Sequence, residues 1–174
     1  MDPLSITASV IAVGGAAGTA CKCARAFYKI ARKAGAVRED IEFFASHIDT
    51  FGSIVSSVHN TIRDHYTKYR GSLTLQRLGQ QASLKNLALQ SDHLMRRLKD
   101  LEPDVKDRDV GLGFLGRARW LLKGAEREEL CVWMERVKMA FVMIMYEVMY
   151  EALQERVFSK DSLPQGLFNL EREM

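Results

Sequence analysis

The chain has 174 residues, 47% apolar and 27% charged, with three cysteines and a net charge of +3. That length fits one domain with a sizeable core, and the composition excludes a wholly disordered chain. Cys21 and Cys23 are one residue apart and Cys131 is left over, which excludes a disulfide scaffold and implies a reduced, intracellular protein.

The first predicted helix starts at Asp2-Pro3, an N-cap acceptor followed by proline at the first helical position. It runs to about Ala34, where Gly35 is the stop signal. Residues 1–38 carry Lys22, Arg25, Lys29, Arg32, Lys33 and Arg38 against Asp2 alone, a local charge of +5 on a mildly acidic remainder. At about 100° per residue the first five cations share one arc. Cys23, Ala24, Phe27, Ile30, Ala31 and Ala34 fall opposite them. Such an arm points to an anionic partner, although a merely solvated helix face has the same pattern.

The second helix spans about Glu39–Tyr69. Ile41, Phe44, Ile48, Phe51, Val55, Val58, Ile62, Tyr66 and Tyr69 form its three-and-four seam. A third is expected from Ser72 to Leu101, with Leu75, Leu78, Ala82, Leu87, Leu94, Leu98 and Leu101 as its stripe. Pro103 and Asp104–Gly116 read as the one long connection. The fourth extends from about Arg117 to Val157, with a break near Gly124 and an inner heptad of Leu130, Met134, Val137, Phe141, Ile144 and Val148. Residues 1–157 therefore read as one all-α domain, an up-and-down antiparallel four-helix bundle, and residues 158–174 as a flexible tail. Phe44, Ile48, Phe51, Val55, Trp120, Val137, Phe141 and Ile144 are its expected packing residues.

Constellations for catalysis are missing from the sequence. Gly111-Leu112-Gly113 lacks the third glycine and the preceding strand of a phosphate loop. His47, His59, His65 and His93 show no ligand-pair spacing, and Cys21 and Cys23 lie about 200° apart on a helix. No enzyme activity, metal or cofactor is expected. Nucleic acid is not an expected partner either, because the basic stripe lacks aromatic interleaving and a docking motif. Met139–Tyr150 holds one charge in 12 residues. It fits either an adaptable binding surface or, more simply, a central helix surrounded by neighbours.

The first helix resists a bland account. Pro3 to Cys21 is uncharged, and Ala8, Ala12, Ala16, Ala20 and Ala24 make an i+4 ridge beside the Gly14/Gly18 pair. Small ridges suit a tight soluble bundle or self-association in lipid. Followed by a cationic collar, the segment reads as conditionally membrane-inserting through Leu4, Ile6, Val10, Ile11, Val13, Gly14 and Gly18. Lys22, Arg25, Lys29, Arg32 and Lys33 would meet anionic lipid at about 1 kcal/mol each. Asp2 ahead of the run, with the positives behind it, argues against a secretory signal.

The opening Met1–Val13 (MDPLSITASVIAV) resembles the start of fungal HeLo-like domains found on NOD-like receptors and related STAND proteins. Arg117–Phe141 resembles the same family's second hallmark, a basic Trp-Leu-Leu-Lys segment before an acidic helix with a Glu-Arg-Val-Lys core at Glu135–Lys138. The resemblance spans about residues 1–155. It implies a helical bundle of fungal innate immunity or heterokaryon incompatibility, similar in some members to the executioner bundle of the mixed lineage kinase-domain-like protein. It further implies cell death by release of a hydrophobic N-terminal helix, here Leu4–Ala20, onto the plasma membrane. Trp120, Leu121 and Leu122 would belong to the packing motif.

These 174 residues carry neither the nucleotide-binding domain that the resemblance implies after the bundle nor an evident amyloid signalling motif in the tail. The expectation is that the sensor is missing, lies on another protein or was cut away, with a NOD-like receptor or an amyloid-signalling protein as a candidate upstream partner. The expectation is a cytoplasmic domain that self-associates and is recruited conditionally to anionic membrane lipid. The alternative is a soluble homotypic or heterotypic adaptor without membrane activity.

Overall fold

The computed structural model describes residues 3–69, 71–101 and 120–161, of which 3–6 and 158–161 are described as backbone only. Among the described residues every regular element is helical. Helix α1 spans Pro3–Ala31, α2 Arg38–Lys68, α3 Leu73–Gln80, α4 Ser83–Leu101 and α5 Gly124–Asp161. Trp120, Leu121 and Leu122 are also helical and are separated from α5 by a turn at Lys123. The connection expected at Asp104–Gly116 lies outside the described residues. So does the tail from residue 162 onward, while residues 158–161 continue α5 past the boundary expected at Val157.

Helix α1 stops at Ala31, three residues before the expected end. Gly35 adopts φ 59°, a left-handed conformation that costs a residue with Cβ about 1 kcal/mol or more. A single 3-10 turn at Gly35–Val37 then turns the chain into α2. Glu39 and Asp40 lie in the first turn of α2, where carboxylates complement the positive helix end.

Helices α1 and α2 are antiparallel over most of their length. The Val10 carbonyl meets His59, a Cβ on Gly52 would lie 3.0 Å from Ala20 Cβ, and Phe27 stacks edge-on against Phe44 with centroids 5.3 Å apart. The small-residue ridge divides here. Ala16, Ala20 and Ala24 are buried and allow a close approach to α2, whereas Ala8 and Ala12 are exposed.

The predicted third helix is two helices. Gln81 and Ala82 interrupt it, and Ala82 takes φ 54°, a strained choice for a residue with Cβ. Phase explains the break. In one straight helix, Leu75 and Leu78 would share a face with Lys85 and Leu89, both of which are exposed. The interruption rotates the chain so that Leu84, Leu87, Leu94, Leu98 and Leu101 point inward instead. Ser91 sits fully buried among them and returns its hydroxyl to the Leu87 carbonyl at 2.8 Å.

Helix α5 packs against both α2 and α4, and α1 packs against α4. Helix α5 runs parallel to α2: His47 faces Glu135 and, one end further along both helices, His65 faces Glu151. It runs antiparallel to α4, with Arg97 at Glu126 and Glu129, and His93 against Trp133. Phe44, Ile48, Phe51 and Val55 from α2 and Val137, Phe141 and Ile144 from α5 are buried in one core, together with Trp120. Trp120 closes an aromatic corner with Phe27 and Phe44, and the Arg127 guanidinium covers its ring at 4.0 Å. Leu121 and Leu122 depart from the implied packing motif. They are 59% and 85% exposed, because adjacent helical residues point about 100° apart and only Trp120 faces inward.

Candidate functional site

One surface of α1 combines the features singled out in the sequence. Its exposed residues recur at Ala8, Ile11, Gly15, Gly18, Lys22, Arg25, Lys29 and Arg32. Steps of three and four keep them on one side of the helix. The stripe is uncharged up to Gly18, with Ile11 as its one large side chain, and cationic from Lys22 onward; Arg32 and Lys33 follow just past the end of α1, both exposed. Among the described residues none of these five cations pairs with a carboxylate. Their field is therefore directed at solvent.

The cationic half borders a cleft shared with α2. Arg25, Tyr28, Lys29 and Arg32 form one wall, and Arg38 and Glu42 the other. Glu42 accepts from Arg38 Nε at 2.8 Å, so the single carboxylate is already engaged and the cleft stays positive. Tyr28 is half-buried and packs on the core, with its ring at the cleft edge. Neither Tyr28 nor Glu42 was legible as a site residue in the sequence. The only signal for Tyr28 was its i+4 relation to Arg32.

The expected insertion residues divide between two faces. Val10 and Val13 are buried against the rest of the molecule, whereas Ile11 is 66% exposed. They cannot act together while α1 is docked, since successive residues diverge around the helix. The side chains of Leu4 and Ile6 lie outside the described residues. Gly14 has a local explanation: a Cβ there would lie 2.8 Å from the His59 ring. Its absence lets His59 Nδ1 donate to the Val10 carbonyl at 2.9 Å, a bond that ties α2 to the N-terminal half of α1.

Gly15 and Gly18 have no such reason, because a Cβ at either would meet nothing within 4 Å. Gly15→Ala with Gly18→Ala is expected to raise stability by about 1–2 kcal/mol through helix propensity alone. The melting midpoint should rise by about 3–6 °C. A fall in thermal stability would show that these glycines serve the folded core.

A second polar cluster lies at the far end of α2. Ser72 and Glu151 both contact His65 Nε2 at 3.1 Å, and the Ser72 hydroxyl donates to Glu151 at 2.5 Å. Glu151 also accepts from the Leu73 backbone N–H at 2.8 Å, and Ser72 Oγ accepts from Leu75 N–H at 3.2 Å. Serine and carboxylate compete for one ring nitrogen, so the imidazole cannot relay a proton between them. The cluster caps α3 and ties it to α5. Burial pushes the Glu151 carboxyl up, but the bonds from Ser72, His65, Leu73 and Thr74 outweigh it and hold the group below its ordinary value of 4.5.

The simpler expectation for Met139–Tyr150, a helix surrounded on all sides, fails. Met139, Met143, Tyr146 and Tyr150 are between 57% and 64% exposed. Among the described residues, α5 packs on α2, α3 and α4, and these four side chains are not covered by them. Among the described residues no helix is long and apolar enough to cross a membrane, and no group of acidic, histidine or cysteine side chains could hold a metal ion. No protein-family model, no curated protein and no solved structure matches the chain.

Proposed function

We propose that this chain is an anionic-membrane-binding effector domain of the HeLo-like kind, a cell-death or signalling module of fungal immunity or heterokaryon incompatibility. In this reading α1, α2, α4 and α5 form a four-helix up-and-down bundle with α1 as its releasable element. One observation carries the proposal: the outer face of α1 is a continuous stripe, uncharged over its first half and cationic over its second, where among the described residues the cations have no carboxylate partner. Such a face lies flat on an anionic bilayer, with cations at lipid phosphates and small residues against the headgroup boundary. Release of α1 from α2 would then turn Val10 and Val13 outward as well, so that Val10, Ile11 and Val13 are presented together on an uncharged N-terminal half. The sequence resemblance at Met1–Val13 and Arg117–Phe141 supports the same assignment. The working location is the cytoplasm with conditional plasma-membrane recruitment, downstream of a receptor or amyloid-signalling partner.

Vesicle partition and dye leakage test the reading. Lys22→Glu, Arg25→Glu and Lys29→Glu together remove three favourable contacts of about 1 kcal/mol each and add repulsion. Binding to vesicles containing phosphatidylserine should weaken at least 100-fold and leakage should cease. Unchanged leakage would remove the mechanism. A second reading, a soluble adaptor that self-associates, is favoured by the open apolar side of α5. It predicts oligomers that do not partition onto vesicles.

A further inference from the structure

The cationic cleft at the elbow between α1 and α2 has the size and charge of a ligand site. Its volume is about 660 Å³, inside the range of roughly 300–1,000 Å³ that small-molecule sites occupy and more than one phosphate fills. Arg25, Lys29 and Arg32 succeed one another in steps of four and three, so they line about 10 Å of one wall. Arg38 and Glu42 stand opposite, in the first turns of α2. The lining thus holds four cations and one carboxylate, a net charge of +3. Glu42 takes only Nε of Arg38, which leaves the terminal nitrogens of that guanidinium available. Arg25, Lys29 and Arg32 have no carboxylate partner among the described residues. Like charges held around one opening repel until a counter-ion of matching charge enters.

We propose that the cleft binds a water-soluble oligophosphate, a small molecule with two or more clustered phosphate groups, and that this ligand clamps α1 onto α2. Each terminal phosphate carries about −1.5 to −2 at neutral pH, so two of them match the lining, whereas a phosphodiester headgroup brings only about −1. Arginines suit such a ligand, because a guanidinium fork takes two phosphate oxygens at once. Apolar ligands are excluded, since Tyr28 is the one uncharged residue of the lining. The clamp follows from the two walls belonging to different helices. A ligand that touches both binds the docked state better than an undocked α1, and so shifts the equilibrium toward docking. It also occupies cations that membrane binding uses, so a filled cleft and a bound bilayer exclude one another. The ligand therefore holds the domain at rest. That resting role rests on the membrane reading; the binding itself does not, and it is measured without lipid, so the two can fail separately.

Calorimetric titration and thermal melts of the full chain, in about 150 mM salt to screen diffuse attraction, test the proposal with inorganic tripolyphosphate as the probe. One ligand should bind per chain, and the melting midpoint should rise by about 5 °C at hundredfold excess over Kd. Orthophosphate at the same concentration should leave the midpoint unchanged. Arg25→Gln with Arg32→Gln should weaken binding about 30-fold. Lys22→Gln with Lys33→Gln, which removes the same charge outside the lining, should weaken it by no more than about threefold. All four positions are exposed, so folding is expected to survive. Arg38→Gln with Glu42→Gln leaves the net charge of the cleft at +3 and should still weaken binding about tenfold, through the lost fork. No heat of binding and no rise in midpoint overturn the site. Equal losses from the two α1 pairs overturn the cleft in favour of a diffuse field. Affinity untouched by the Arg38/Glu42 pair overturns the clamp. Phosphatidic-acid vesicles form a second arm: binding to them through Arg25 and Arg32, with none to free tripolyphosphate, gives the phosphates to lipid and overturns the soluble ligand.

Discussion

Phe27→Ala is expected to destabilise the folded chain by about 3–5 kcal/mol, which is a large part of the 5–15 kcal/mol typical of a single domain. The ring is fully buried between Phe44 and Trp120, with centroids 5.3 and 6.0 Å away. Three helical segments meet at this corner, so it cannot collapse around the cavity without moving α1 away from α2. Denaturant unfolding followed by circular dichroism reads the loss directly. The variant also bears on the proposed release of α1, because Phe27 is the largest apolar anchor of that helix. Leakage of anionic vesicles should begin at lower protein concentration than for the wild type, provided the variant remains folded before lipid is added. A folded variant with no change in leakage would separate docking of α1 from membrane activity.

Glu151→Ala should cost about 3 kcal/mol, since it removes an acceptor that serves the buried His65 and Ser72 side chains and the first backbone N–H groups of α3. Donors left unsatisfied in such places cost about 1–3 kcal/mol each, and bonds to a charged group lie at the upper end. Glu151→Gln keeps one acceptor but turns an amide donor toward Ser72 and His65, so it should recover only part of the loss. The pH dependence follows from the direction of the shift. The Glu151 carboxyl is held below its ordinary value of 4.5 in the folded chain, so folding favours the ionised form. The contribution is fully present above pH 4.5 and disappears as the pH falls through the depressed value. Thermal melts from pH 7 to pH 3 should therefore show a steeper loss of stability for the wild type than for Glu151→Ala. Parallel curves would mean that the cluster does not titrate with folding.

The all-helical character was legible because three-and-four spacing recurs in every long segment, and burial of one stripe per helix is the only economical use of that spacing. The break at Gln81–Ala82 was hidden. No glycine or proline marks it, and only the need to bring Leu84 rather than Lys85 into the core shows why the chain turns there. The up-and-down expectation implies a parallel sense for α2 and α5, but their direct packing was hidden, because short connections report only on helices next to one another in sequence.

For the candidate surface, the amino-acid order alone established the cationic arc from Lys22 to Lys33 and the small, uncharged run before it. Both are local, periodic features that a helix displays whatever surrounds it. Only the folded packing decided which side of that run meets α2, and so buried Val10 and Val13 while leaving Ile11, Gly15 and Gly18 in solvent. Packing likewise drew Tyr28, Arg38 and Glu42 into the cleft and left Met139, Met143, Tyr146 and Tyr150 of α5 exposed. A helix that is apolar all round has no preferred inward face, and its neighbours alone determine which side remains to bind something else.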